Sequence, residues 1–297
     1  MTPGTPPHRV LVIGDANVDL VLRGDVVPRF GQEEQLLSEA ALVLGGSAAI
    51  VACGLARLGV PTSLAAVVGD DDFGAFALDA LRAAGVDTGA IRVDAQRPTG
   101  ISVILSGDDD RAILTLPGAI PALGDDDVPR EGFGWVHVAS PFLMPEFTAS
   151  SAQRLSGFRA AGAGTSLDTN WDPSGRWDVA ALLEHVDVLL PNRSELEAIS
   201  RVDDLGGLRI VAKDGAAGGW SQTGEGPRVA APGLQVEVVD TTGAGDSFDA
   251  GYLAAIAHGV DDERERVRWA TVAGSLSTRA PGGTGGQADL AELRAAL

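Results

Sequence analysis

A carboxylate three residues after a glycine, in the run Gly243-Ala244-Gly245-Asp246, is the arrangement in this sequence best suited to chemistry. The run Val236–Val239 before it reads as a strand. Phe248, Tyr252, Ala255 and Ile256 after it recur at helical spacing, and Gly259 ends the helix. Glycines at 243 and 245 let an anion approach the backbone, and the first amides of a helix have no partners of their own. The segment therefore reads as an anion site. A carboxylate at that position repels phosphate unless it acts on it, which makes Asp246 a candidate general base. The plainer reading has Asp246 capping the helix and the glycines making a turn.

Other polar groups gather where strands end. Asn17 and Asp19 follow the apolar run Arg9–Gly14 and share a face if the chain stays extended; turn hydrogen bonds are the alternative. Gly45-Gly46 opens a second helix, which Gly59 and Pro61 close. Asp168-Thr169-Asn170-Trp171-Asp172 ends another strand, and Asn192 and Glu195 stand three apart at a helix start, facing one site or forming an N-cap with its acidic partner. Asp108-Asp109-Asp110 reads as a solvated turn, and Arg111 as a strand-edge ion pair or a substrate clamp.

Composition narrows the chemistry. The 297 residues carry 22 basic and 41 acidic side chains, a formal net charge of −19, which disfavours nucleic acid as a partner. A phosphate site in such a chain must rely on backbone dipoles and a divalent cation. Lys213 is the single lysine and no Gly-Lys pair occurs, so a Walker A loop is excluded. His8, His137, His185 and His258 lack metal-ligand spacing, and the one cysteine, Cys53, reads as core filler in an alanine-rich helix. No apolar run reaches the roughly 18 to 20 residues of a membrane span, and Met1–Pro7 lacks the pattern of a signal peptide, so no membrane partner and a cytoplasmic location are expected.

The elements that must position these groups alternate. Strands are predicted at Arg9–Gly14, Leu64–Val68, Gly134–Ala139, Thr165–Leu167, Val186–Leu190 and Arg209–Ala212, with helices after Gly46, from Asp70–Asp72, over Phe147–Ala161 and near Arg264–Arg279. The alternation predicts an α/β fold with a mostly parallel central sheet. Ile101–Leu105 and Arg111–Leu116 interrupt it as an antiparallel hairpin, the mark of a flap. One domain is expected over residues 9–297, with a β lid from roughly 15–45 and 97–118 and a disordered tail over 1–8.

Taken together, these segments resemble the ribokinase-like (PfkB) family of carbohydrate kinases over nearly the whole chain. The resemblance implies a Rossmann-type three-layer sandwich with a small β-sheet lid. It implies transfer of the γ-phosphoryl group of ATP to a hydroxymethyl group, with Asp246 as catalytic base and the amides of Gly243, Ala244 and Gly245 as the anion hole. Asn192 and Glu195 look like the family's N-x-x-E element, which organises Mg²⁺ through water. Asn17 and Asp19 look like its sugar-binding N-x-D pair, with Gly45, Gly46, Asp168 and Asn170 beside the same substrate. Lys213, Gly215, Gly218 and Gly283 correspond to nucleotide loops, and Asp240 and Thr242 to positions that ligate a monovalent cation, so K⁺ activation is an expectation. A homodimer through the β lid is another.

Two departures stand out. Ile50 occupies the place of an asparagine that bonds a sugar hydroxyl, and Asp172 the place of an arginine found in keto-deoxy acid kinases. A carboxylate at 172 is expected to repel acidic sugars, leaving a neutral sugar or polyol as substrate. A nucleoside kinase, with Ile50 and Trp171 against a flat base, and a non-catalytic sugar or nucleotide sensor are the alternatives.

Overall fold

The computed structural model describes residues 8–107 and 111–297, without the side chain of Arg111. The acidic tip at Asp108–Asp110, any role for the Arg111 side chain, and the expected tail up to residue 7 lie outside the described residues. His8, placed in that tail, is instead tied down: its amide donates to the Ala257 carbonyl at 3.2 Å.

In chain order the first elements are β1 (Val10–Ile13), β2 (Asn17–Gly24), β3 (Leu37–Gly45), α1 (Ser47–Arg57), β4 (Thr62–Gly69), α2 (Asp72–Ala83), β5 (Ile91–Asp94), β6 (Gly100–Ser106) and β7 (Arg111–Leu116). There follow β8 (Trp135–Ala139), α3 (Pro145–Ala160), β9 (Gly164–Asp168), α4 (Ala180–Leu183), β10 (Val188–Leu189), α5 (Arg193–Ile199), β11 (Arg209–Lys213), β12 (Gly219–Thr223) and β13 (Val229–Ala231). Helices α6 (Ala244–Ala257), α7 (Glu263–Ser277) and α8 (Leu290–Ala296) complete the chain.

Nine strands form one sheet in the order β13-β12-β11-β10-β9-β8-β1-β4-β5, and four form a second in the order β3-β2-β6-β7. From β11 across to β5 every pairing in the large sheet is parallel, while β12 runs antiparallel to both its neighbours. This is the expected three-layer α/β sandwich with a small β lid. Its central strands are apolar on both faces, as a sheet covered twice requires. Val10 and Val12 of β1 pack with α1, α2, α6 and α7, whereas Leu11 and Ile13 pack with α3 and α4. Cys53 is buried in the first of these cores, and burial pushes its thiol up to about 12, consistent with core filler.

Helix α6 is buried nearly all round, from Ser247 to Ala255, because it lies between the sheet, α1 and α7. Its first turn, open at the crevice, is the exception.

The segment before that turn differs from expectation. Val236–Val239 alternates like a strand, yet β13 ends at Ala231 before Pro232 and no strand forms after it. The amides of Val239 and Asp240 donate instead to the Thr278 carbonyl at 2.8 and 3.1 Å, so the chain crosses the end of α7 rather than joining a sheet edge. No helix among the described residues is long and apolar enough to cross a membrane. Leu11→Ala, a truncation at the centre of the α3-side core, is expected to lower the unfolding free energy by about 2–5 kcal/mol in urea titrations.

Candidate active site

The crevice lies where β1, β8, β9, β10 and β11 end, and α6 opens onto it. Gly243, the N-cap, takes φ 70°, and a Cβ there would stand 2.6 Å from the Gly283 backbone, so the loop carrying Gly283 packs directly on the turn. The Ala244 amide donates back to the Thr241 carbonyl at 3.2 Å, which removes it from the expected anion hole. The amides of Gly243 and Gly245 have no partner among the described residues.

Two cavities meet at this turn. One, of about 240 Å³, is lined by Gly243 and Asp246 together with Asp15, Asn17, Asp19, Gly46, Ser47 and Ile50, and by Ser102, Ile104, Ile113 and Thr115 of the lid. The other, of about 300 Å³, is lined by Ala244 and Gly245 together with Lys213, Gly215, Gly218, Leu234, Val236, Val238, Phe248 and Gly274. Larger surface hollows around Asp203–Gly206, of about 490 and 720 Å³, contain none of these groups.

In the first cavity, Asn17 and Asp19 are adjacent inward residues of β2, and Asn17 Nδ2 donates to Asp19 Oδ1 at 2.9 Å. Gly45 is required here because a side chain would overlap the Asp19 carboxylate. Asp15, passed over in the sequence, accepts from the Ser47 and Ala48 amides at 3.1 and 3.0 Å and so caps α1; burial nevertheless raises its pKa. Ser47, also missed, is the first residue of α1 and donates its hydroxyl to Asp246 Oδ1. Its position directly after Gly45-Gly46 was the available signal.

Asn170 holds Ser47 from the other side, Nδ2 to Oγ at 2.9 Å, and therefore acts on Asp246 through Ser47 rather than lining the cavity. Asp168 is not at the cavity either: it lies 1% exposed beneath α6, paired with Lys213. Ile50 separates the first cavity from Gly283. Asp172 is a correction. It is buried and accepts from the Ser174 and Trp177 amides at 2.8 and 2.7 Å, so its charge closes a turn and selects no substrate. Trp171 is 66% exposed and packs edge-on against Trp177, away from a base-stacking role.

The carboxyl of Asp246 is pushed up to about 7, first by desolvation in the crevice and further by Asp168 and Asp15, with Lys213 and Ser47 pulling against them. Glu195 is likewise raised to about 7, by burial and then Asp168. Asn192 and Glu195 do form a capping box on α5: Glu195 N donates to Asn192 Oδ1 at 3.0 Å, and Asn192 N to Glu195 Oε2 at 2.8 Å. A carboxylate has acceptor capacity beyond those bonds. A buried, charge-crowded Glu195 close to Asp168 and Asp246 fits a hard divalent cation such as Mg²⁺, held directly or through water.

The Asp240 carboxylate, expected to ligate a monovalent cation, already has hydrogen-bond partners. Asp240 Oδ1 accepts from Thr242 N and Oγ1 at 2.9 and 2.7 Å, and Oδ2 from Gly282 N at 3.0 Å and from Arg23 Nη2 at 3.1 Å. The guanidinium of Arg23, at the end of β2, already neutralises this carboxylate and fills its remaining acceptor position.

Comparison with known proteins agrees with this architecture. The pfkB family carbohydrate kinase profile matches residues 7–289. An ATP-dependent ribose-1-phosphate kinase of Halopiger xanaduensis is 35% identical over 91% of each chain, and a fructokinase of Klebsiella pneumoniae is 34% identical over 92% of this chain and 94% of its own. Arabidopsis thaliana ribokinase, solved with ribose and ATP, superposes with a TM-score of 0.83 at 25% identity, covering 98% of each chain. Vibrio cholerae fructokinase, solved with fructose, ADP and calcium, gives 0.83 at 26% identity over 99% of this chain and all of its own. The chain belongs to the pfkB family of carbohydrate kinases. It is a phosphotransferase with an alcohol group as acceptor, which sets the sensor alternative aside.

The filled Asp240 carboxylate predicts that exchanging choline for potassium at constant ionic strength leaves the thermal midpoint unchanged, because an ion that binds the native state must raise it. A rise that saturates with potassium would contradict this reading.

Proposed function

We propose that this kinase transfers the γ-phosphoryl group of ATP to a hydroxymethyl group of a neutral sugar or polyol, with Asp246 as general base and the Gly243 and Gly245 amides as the anion hole. One observation carries the reading: a single helical turn presents Asp246 to one cavity and Gly245 to the other, so acceptor and donor would meet across it. ATP would occupy the second cavity, whose apolar side is Leu234, Val236, Val238 and Phe248, with its phosphates toward Lys213 and Gly245.

The acceptor would lie in the first cavity. Asn17 and Asp19 would bond its hydroxyls, and the lid would exclude water. Asp246, oriented by Ser47, would take the hydroxyl proton as the oxygen attacks phosphorus in line. Asn170 would keep Ser47 in place. Mg²⁺, held near Glu195 and Asn192, would supply charge neutralisation to the phosphate oxygens.

The neutral acceptor is supported by the lining itself. Asp15 and Asp246 present carboxylates to the cavity. Anionic acceptors such as the ribose-1-phosphate of the Halopiger relative fit this lining poorly. The nucleoside reading keeps one support, the apolar wall of Ile50, Ile104, Ile113 and Ile120, while the Trp171 contribution to it falls away.

Residues 9–297 would act as one catalytic unit, with the lid closing over the acceptor. Leu37, Leu42, Leu114 and Leu116 of the lid strands are exposed, which suits burial against a second copy of the lid.

A coupled ADP-release screen over pentoses, hexoses, inositols, nucleosides and ribose-1-phosphate tests the acceptor class; turnover confined to ribose-1-phosphate would refute the neutral assignment. Asp246→Asn is expected to lower kcat by roughly 10³-fold or more with nucleotide affinity retained. Only the ionised base is active, so kcat/KM for the acceptor should fall about tenfold per pH unit below about 7 and level off above it. A profile flat down to pH 5 would exclude Asp246 as the titrating base.

A further inference from the structure

The single lysine has an arrangement that stability does not explain. Lys213 ends β11, and its Nζ stands 2.5 Å from Asp168 Oδ2 and 2.9 Å from Asp249 Oδ2. The two carboxylates are 1% and 0% exposed, and Asp249 Oδ1 is buried without a hydrogen-bond partner. Taking such charges out of water generally returns little net stability, and well-packed apolar side chains in their place often serve as well or better. One oxygen each of Asp168, Asp246 and Asp249 lies within 4.8 Å of the others, so this charge cluster borders the base itself.

An ammonium has three hydrogens to donate, and two are directed at Asp168 and Asp249. The side chain keeps 12% of its surface open, and it borders the cavity that Ala244 and Gly245 also line. A Cβ placed on Gly245 would stand 3.7 Å from Nζ, so the ammonium is beside the unpaired Gly245 amide. An anion received by that amide is within reach of the third N–H.

We propose that Lys213 is a catalytic residue of the phosphoryl transfer, donating its third N–H to the transferring phosphoryl group, and that Asp168 and Asp249 are positioning residues that aim it. The assignment rests on the kinase reading above and adds a cation to its anion hole. In the transfer, the bond from the acceptor oxygen to the γ-phosphorus forms as the bond from phosphorus to the ADP oxygen breaks, and the acceptor proton goes to Asp246. Lys213 keeps its proton. Its charge meets the equatorial oxygens throughout, fixed by two buried carboxylates rather than by solvent, so no reorganisation is needed as the transition state forms.

The test compares wild type, Lys213→Met and Lys213→Arg by calorimetry with ADP and with a non-hydrolysable ATP analogue, each with magnesium, and by steady-state kinetics on whichever acceptor turns over. Lys213→Met should weaken the γ-phosphate-bearing analogue about tenfold relative to ADP, and lower kcat roughly 10²–10³-fold with the acceptor KM little changed. Lys213→Arg should restore part of both. Equal weakening of the two nucleotides, or kcat within threefold of wild type, would overturn the assignment. Should Lys213→Met be insoluble, Lys213→Met/Asp249→Leu removes the stranded carboxylate with the charge and is read in the same way. The nucleotide arm needs no acceptor: a wild type that binds the analogue but phosphorylates nothing defeats the kinase reading, while the analogue-to-ADP ratio still decides the role of Lys213.

Discussion

Everything at the crevice depends on how many carboxylates can be kept beside one helix mouth. Asp15, Asp168, Glu195, Asp246 and Asp249 gather there around a single ammonium, Lys213, in a chain whose net charge is already −19. Two forces hold them. The unpaired amides at the start of α6 and the capped start of α1 stabilise negative charge locally, and Lys213, buried between Asp168 and Asp249, supplies one full opposite charge. Burial works against the charge on Lys213, but those carboxylates more than offset it and its pKa rises. The same Lys213 holds Asp168 below its ordinary value although burial opposes this, whereas Asp249, where burial dominates, is raised. The imbalance that remains falls on Asp246 and Glu195, which suits the roles proposed for them as general base and cation ligand.

Much of this was legible in the sequence because the chemistry is local there. Gly243, Gly245 and Asp246 sit within four residues, and their geometry follows from a turn feeding a helix. The alternation of strands and helices announced a parallel sheet, and the hairpin at 101–116 announced the lid. Elements held by weaker patterns were missed: β12 alternates buried Gly219 and Ser221 with half-buried Trp220 and Gln222, which offers no apolar period. Helix α8 left a signal in the Asp289/Glu292 capping box that was not used.

Long-range pairings were invisible for a different reason. Ser47 and Asp246 lie 199 residues apart, Arg23 and Asp240 217 apart, and Lys213 and Asp168 45 apart. No spacing rule connects them; only the folded sheet brings the ends of β9 and β11 up against the start of α6. Asp172 shows the converse hazard. A residue at a position with a known role elsewhere was read as facing the crevice, but its own backbone neighbours at 174 and 177 satisfy it more cheaply than a ligand could.

The lid supplies what the helix mouth lacks. Its strands β2 and β6 run parallel and share the wall of the first cavity through Asn17, Asp19 and Ser102, while Arg23 at the far end of β2 bonds Asp240 at the head of the turn before α6. The wall of that cavity and the start of α6 are thus tied to one strand.

The central claim is that Asp246 is poised as a base by its surroundings, and its titration in the free protein tests this most directly. Carboxyl-¹³C aspartate labelling, with the Asp246 resonance assigned by its loss in Asp246→Asn, should give a midpoint near 7. A midpoint near that of an ordinary solvated aspartate, about 4, would contradict the account.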